Sequence, residues 1–147
     1  MAITMSFGKG LLILLLTLVA TLAISQAETV VVGGSEGWRY GYNYTDWALK
    51  HGPFFLNDTL VFRYPPPNDT VKPHSVYLLP NLYSFLTCDF KAATLVAPPN
   101  QGGGDGFSYT LSRVRPNYFA SREGNGDDCT KGLMKFAAIP LYRPPFP

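Results

Sequence analysis

The sequence predicts an all-β domain, a sandwich or barrel of short strands with one short helical turn. Two observations carry that expectation. Short β-branched and aromatic runs recur along the chain, and Gly, Pro or Asn punctuates each of them. Aromatic residues make up 14% of the chain, so Trp38, Trp47 and the many Phe and Tyr supply a core despite 13 prolines and 14 glycines.

Residues 1–27 are predicted to stand apart from the domain. Lys9 supplies a positive n-region, Leu11 to Ile24 is an apolar run broken only by threonines, and Ser25-Gln26-Ala27 places small residues where a signal peptidase inspects the chain. The run is short against the ~20 residues of a full membrane span. A cleaved secretory signal over 1–27 is therefore expected, then a domain over 28–141 and a short proline-rich tail over 142–147.

Within the domain, Thr29 to Val32 opens as a strand and stops at Gly33-Gly34. Tyr44 to Leu49 is expected to make one helical turn, with Thr45 as its cap. Thr59 to Tyr64 alternates and ends at Pro65-Pro66-Pro67. His74 to Leu79 is a strand closed by Pro80. Phe107 to Leu111 follows the glycine cluster Gly102-Gly103-Gly104, Asn117 to Ala120 is short and aromatic, and Leu133 to Ile139 supplies the last strand.

Cys88 and Cys129 both lie in the predicted secreted part. In an oxidising compartment two thiols most simply form one disulfide; a pair of thiolate metal ligands is the alternative, with only His51 and His74 as imidazoles to join it. The formal net charge is +2, and no basic stripe is visible, so nucleic acid is not an expected partner. No second apolar segment follows the first. Pro140 to Pro147 lacks the hydrophobic tail of a lipid-anchor signal. A monomer in the extracellular space or apoplast is expected, with no transmembrane anchor after cleavage, free or resting on the plasma-membrane surface.

Six segments in order then carry a resemblance. Val32-Gly33-Gly34-Ser35-Glu36-Gly37-Trp38 is similar to the opening strand and turn of the plant phytocyanins, the stellacyanin, uclacyanin and early nodulin-like proteins. Tyr44 to Trp47 matches their Y/F-x-x-W segment, and Asn57 to Phe62 their G-D-x-L-V-F strand. His74-Ser75-Val76 stands at their first copper histidine, Cys88 at their first disulfide cysteine, and Tyr118 to Met134 over their terminal loop. The resemblance spans residues 29 to 141. It implies a cupredoxin-like Greek-key β-sandwich with a Cys88–Cys129 disulfide.

It also implies a site with most of its ligands replaced. A blue-copper site needs two imidazoles, one thiolate and a weak axial ligand. His74 keeps the first imidazole position. Ser121 stands at the thiolate position, Asp128 at the second imidazole position before Cys129, and Leu133 at the axial position with Met134 beside it. A serine hydroxyl cannot replace a thiolate, so no copper and no other cofactor is expected, and the expected picture is an empty, dry pocket beneath His74.

Three N-x-Ser/Thr sequons, at Asn43, Asn57 and Asn68, are candidate glycan sites in a secreted chain. Asn57 also suits a turn that needs a left-handed residue. Asn100 to Gly106 is glycine-rich, but no Lys-Ser/Thr follows, and a flexible hairpin connection is expected. Arg113 and Arg115 flank Val114, and alternation would put them on one strand face; with Arg122 they are candidate contacts for an acidic wall polysaccharide. No serine, histidine and acid stand in a nucleophile context, and adjacent Asp127 and Asp128 rarely face one bond, so an enzyme is not expected. The leading expectation is a secreted interaction module for a cell-wall polymer or cell-surface protein. The alternatives are a copper electron-transfer protein with an atypical site and a binder of acidic polysaccharide.

Overall fold

A computed structural model describes residues 26–145. Most of the predicted signal, residues 1–25, lies outside the described residues, as do 146–147. Within 26–145 the order is β1 (Thr29–Val31), a 3-10 turn (Gly34–Glu36), α1 (Tyr44–His51), β2 (Thr59–Phe62), β3 (Val76–Leu79), α2 (Leu82–Thr87), β4 (Thr94–Ala97), β5 (Phe107–Thr110), β6 (Asn117–Ala120), α3 (Asp127–Thr130) and β7 (Lys135–Ala138).

Two sheets form, β1-β2-β5 and β4-β3-β6-β7. The β1–β2 pair is parallel and the other named pairs are antiparallel. This is the all-β sandwich that the short punctuated strands predict, with every strand but β4 at or within its expected limits. Phe62 from one sheet meets Phe119 and Phe136 from the other, with ring centroids 5.3 and 6.1 Å apart. Trp38 packs edge-on against Phe62 at 5.2 Å and is only 1% exposed. Aromatic rings therefore fill the space between the sheets, each edge-to-face contact adding about 1 kcal/mol to simple burial.

Trp38 also joins the sheets at one end. Its backbone N–H donates to Arg63 O at 2.8 Å, one residue past β2, and its indole N–H donates to Ser75 O at 2.9 Å, one residue before β3. Ser121, just past β6, and Met134, just before β7, lie at the same end through Ser121 N–H to Met134 O. At the opposite end Asp58 is buried. It accepts the N–H groups of Glu28 and Phe55 at 2.9 Å each and pairs with the Arg143 guanidinium at 2.7 Å. Arg143 thus anchors the proline-rich segment, and Leu141 bridges to Phe55. The domain extends past the expected end at 141, because a buried carboxylate takes its countercharge from the tail.

Three further local features differ from expectation. The expected turn is an eight-residue helix, capped by Asn43 rather than Thr45. Asn43 has extended backbone and its side-chain oxygen accepts the Asp46 N–H at 3.0 Å, as an N-cap must, whereas Thr45 lies inside the first turn and donates to Lys135 O. Strand β4 and helices α2 and α3 were not anticipated. The Asn100–Gly106 segment is no hairpin: it crosses from β4 in one sheet to β5 in the other. It is also packed, since Tyr64 N–H donates to Gly102 O and a Cβ on Gly102 would sit 2.3 Å from the Tyr64 ring.

Candidate functional site

The four positions that the resemblance assigns to a metal site do come from one end of the sandwich. Pro73-His74-Ser75 leads into β3, and Ser121 is the first residue beyond β6. The chain then turns through Gly124, Asn125 and Gly126, all with positive φ, into α3. There Asp128 and Cys129 are buried. The Cys88–Cys129 disulfide, with Cα atoms 6.0 Å apart, fastens α3 to the end of α2. Met134 N–H donates to Asp128 O at 2.9 Å and closes the loop.

These constraints bring three side chains together on one oxygen. Oδ2 of Asp128 lies 2.6 Å from Nδ1 of His74 and 2.7 Å from Oγ of Ser121. A carboxylate only accepts, so the hydroxyl and the imidazole Nδ1–H both donate to it. Ser121 Oγ in turn accepts the Ser75 N–H at 3.0 Å, and Ser75 Oγ accepts the Arg122 N–H at 3.3 Å. The side chains of His74 and Asp128 are 12% and 8% exposed, so these contacts are largely shielded from water. No void separates His74 from the replaced positions: Asp128 and Ser121 bond to each other and Asp128 to His74, and the open space at this end lies beside them.

The chemistry of this donor set does not fit a blue-copper ion. Both cysteines are held in the disulfide, so no thiolate is available among the described residues. His74 spends Nδ1 on a carboxylate. Leu133 has a left-handed backbone and is 41% exposed, while Met134 is fully buried as a member of the main hydrophobic core. Among the described residues no group of three or more His, Cys, Asp or Glu gathers. Nor is the order that of a nucleophilic triad, in which the imidazole stands between hydroxyl and acid; here the acid stands in the middle.

Beside the network lies a cleft of about 560 Å³, lined by Tyr40, Lys72, Pro73, His74, Gly124, Asp127 and Asp128. Tyr40 OH donates to Asp127 Oδ2 at 3.1 Å, and Lys131 stands 3.8 Å from the other oxygen. Sequence reasoning missed Tyr40 and Lys72 because neither belongs to a motif. Their placement depends on loop contacts from residues far along the chain.

The three candidate arginines do not gather. Arg113 and Arg115 lie in the bend after β5, not on a strand: the pairing with β2 runs out at Leu111, whose backbone bonds to Asp58 and Asn57. That places them at the Asp58 end. Arg122 follows β6 at the His74 end, so β6 runs between Arg115 and Arg122. The sequon residues Asn43, Asn57 and Asn68 are all exposed. Asn57 has φ 71°, the left-handed turn its sequence position suggests. Asn68 uses its side-chain oxygen to hold the N–H groups of Thr70 and Val71. No helix of the described residues is long and apolar enough to cross a membrane.

Two sheets, a disulfide-fastened terminal loop and a site at the end of β3 and β6 define a cupredoxin-like domain. Solved structures agree on the fold. The chain superposes on cucumber stellacyanin with a TM-score of 0.63 and 22% identity, covering 81% of this chain and 99% of that one. Spinach plantacyanin gives 0.51 and 21%, covering 77% and 99%. No family model matches the chain. Among curated proteins it is 30% identical over 125 residues to early nodulin-like protein 4 of Arabidopsis thaliana, covering 83% of this chain and 50% of that protein. It is 31% identical over 86 residues to blue copper protein 1a of Medicago truncatula, covering 58% and 49%. The chain belongs to the phytocyanin family. It spans about half the length of these curated relatives.

Proposed function

We propose that this domain works without copper, as an extracellular interaction module that presents its former metal end to a cell-wall polymer or a cell-surface protein. One observation carries the reading: Asp128 Oδ2 binds both His74 Nδ1 and Ser121 Oγ within 2.7 Å. A buried, fully satisfied carboxylate network is costly to break; a metal on His74 Nδ1 would have to break it, and one on the other ring nitrogen would meet no thiolate, since both cysteines are held in the disulfide. The leader-like first 27 residues, the disulfide and the exposed sequons support an extracellular setting. The acidic-polysaccharide reading loses its support, since Arg113 and Arg115 lie at the end opposite Arg122.

Titration of the purified protein with Cu(II), followed by visible absorption and calorimetry, tests the reading. No intense thiolate-to-copper band and no stoichiometric uptake are expected. Uptake of one equivalent with such a band would overturn it.

A further inference from the structure

We infer that the cleft beside His74 is a binding site for a neutral saccharide, with Tyr40 as the stacking platform and Asp127 and Lys72 as the hydroxyl-reading groups. The inference deepens the proposed function and rests on it. It starts from Tyr40, which is 43% exposed yet firmly held. Its hydroxyl is fixed to Asp127 at 3.1 Å. The backbone N–H of the next residue, Gly41, donates to Gly132 O at 2.7 Å. Its ring lies so close to Gly132 that a Cβ there would be 2.5 Å from Cδ2. An aromatic face fixed in this way loses little freedom when a ligand covers it, which favours binding.

The walls decide the ligand's charge. Asp127 offers acceptor oxygens, and its orientation is already set by Tyr40. Lys72 is exposed and pairs with no carboxylate among the described residues, so it stands as a donor on the same cleft. Asp127, partly offset by Lys131 at 3.8 Å, and Asp128 oppose an anionic ligand, and Lys72 opposes a cationic one. A hydroxyl-rich neutral ring satisfies both: its hydroxyls donate to Asp127 and accept from Lys72, while its C–H face lies on Tyr40. The volume of about 560 Å³ is within the range of small-ligand pockets. A terminal neutral sugar of a glycan chain is the ligand class this cleft fits.

Titrating ¹⁵N-labelled protein with neutral tetrasaccharides of glucose, xylose and galactose, and with tetragalacturonate, tests the site. Saturable shifts at Tyr40, Gly124, Asp127 and His74 are expected with at least one neutral series, with tetragalacturonate at least tenfold weaker. Tyr40→Ala should weaken binding at least tenfold, while Tyr40→Trp retains it. The inference is overturned if no neutral series saturates, if the shifts map elsewhere, if Tyr40→Ala binds unchanged, or if tetragalacturonate binds as tightly. Copper titration reads the parent proposal separately. A blank spectrum without sugar binding removes the saccharide site alone, whereas a copper–thiolate band removes the parent reading whatever the sugars do.

Discussion

Nδ1 of His74 lies 2.6 Å from Oδ2 of Asp128, and Ser121 shares that same oxygen at 2.7 Å. One carboxylate therefore does for this end of the sandwich what a bound ion does elsewhere: it draws the β3 entrance, the β6 exit and α3 to a single point.

Asp128→Asn keeps the shape but removes the charge that two donors share. An amide oxygen with no negative charge holds them less strongly, and its NH₂ faces a donor. Hydrogen bonds to charged groups contribute roughly 1.5–3 kcal/mol, so a loss of about 2 kcal/mol is expected. Urea unfolding should show a lower midpoint with an unchanged slope; an unchanged midpoint would mean the network is not structural.

The disulfide links residues 41 apart in sequence. By the chain-entropy model such a loop contributes about 4 kcal/mol through the unfolded state. Cys88→Ala with Cys129→Ala should lower stability by that order, and thermal unfolding measured with and without reductant checks it. The α3 loop should also lose amide protection before the sheets do.

Alkaline pH should weaken the fold through its tyrosines. Burial pushes the Tyr64 phenol up to about 12, and burial raises Tyr44 as well. An unfolded tyrosine ionises near pH 10. The folded state thus holds these protons more tightly, so their contribution is fully present below about pH 10 and is lost as pH rises through about 12. Lys135, lowered by burial while it donates to Phe85 O, acts in the opposite sense. Denaturation midpoints should be flat from neutral pH to about 9 and then fall. A midpoint that climbs above pH 10 would contradict this.

Arg143→Met removes the countercharge of Asp58, whose residue exposure is only 2%. Losing one partner of a buried pair costs about 3–5 kcal/mol in general. Asp58 keeps two backbone N–H donors, so a smaller loss of about 2 kcal/mol is expected. Chemical denaturation of the full chain reads it, and Arg143→Lys should recover part.

Much of the architecture was legible. Strands such as Thr59–Phe62 and Asn117–Ala120 announce themselves by β-branched and aromatic runs between breakers, and Trp38 reads as core. The convergence of His74, Ser121 and Asp128 followed from the resemblance, but their mutual bonding did not, because sequence alone does not say whether replaced ligands leave a void or bond to one another. Strand β4 was missed because Thr94 and Leu95 both face solvent and show no alternation. Helix α2 is too short for a period, although Asn81 and Ser84 form a capping box that signals its start. The spacing of Arg113 and Arg115 suits a strand face, yet β5 ends at Thr110 and its bonds to the β2 side reach no further than Leu111. Asp58 with Arg143 was invisible, since nothing local links residues so far apart.

The indole of Trp38 hangs from the carbonyl of Ser75, the neighbour of His74. The other tryptophan, Trp47, lies on α1 against His51, Phe54 and Phe136. The molecule therefore carries a native fluorophore one hydrogen bond from the residue beside His74, and a ligand at that end is expected to shift its emission. Comparing Trp47→Phe with the parent chain isolates that signal without any attached dye.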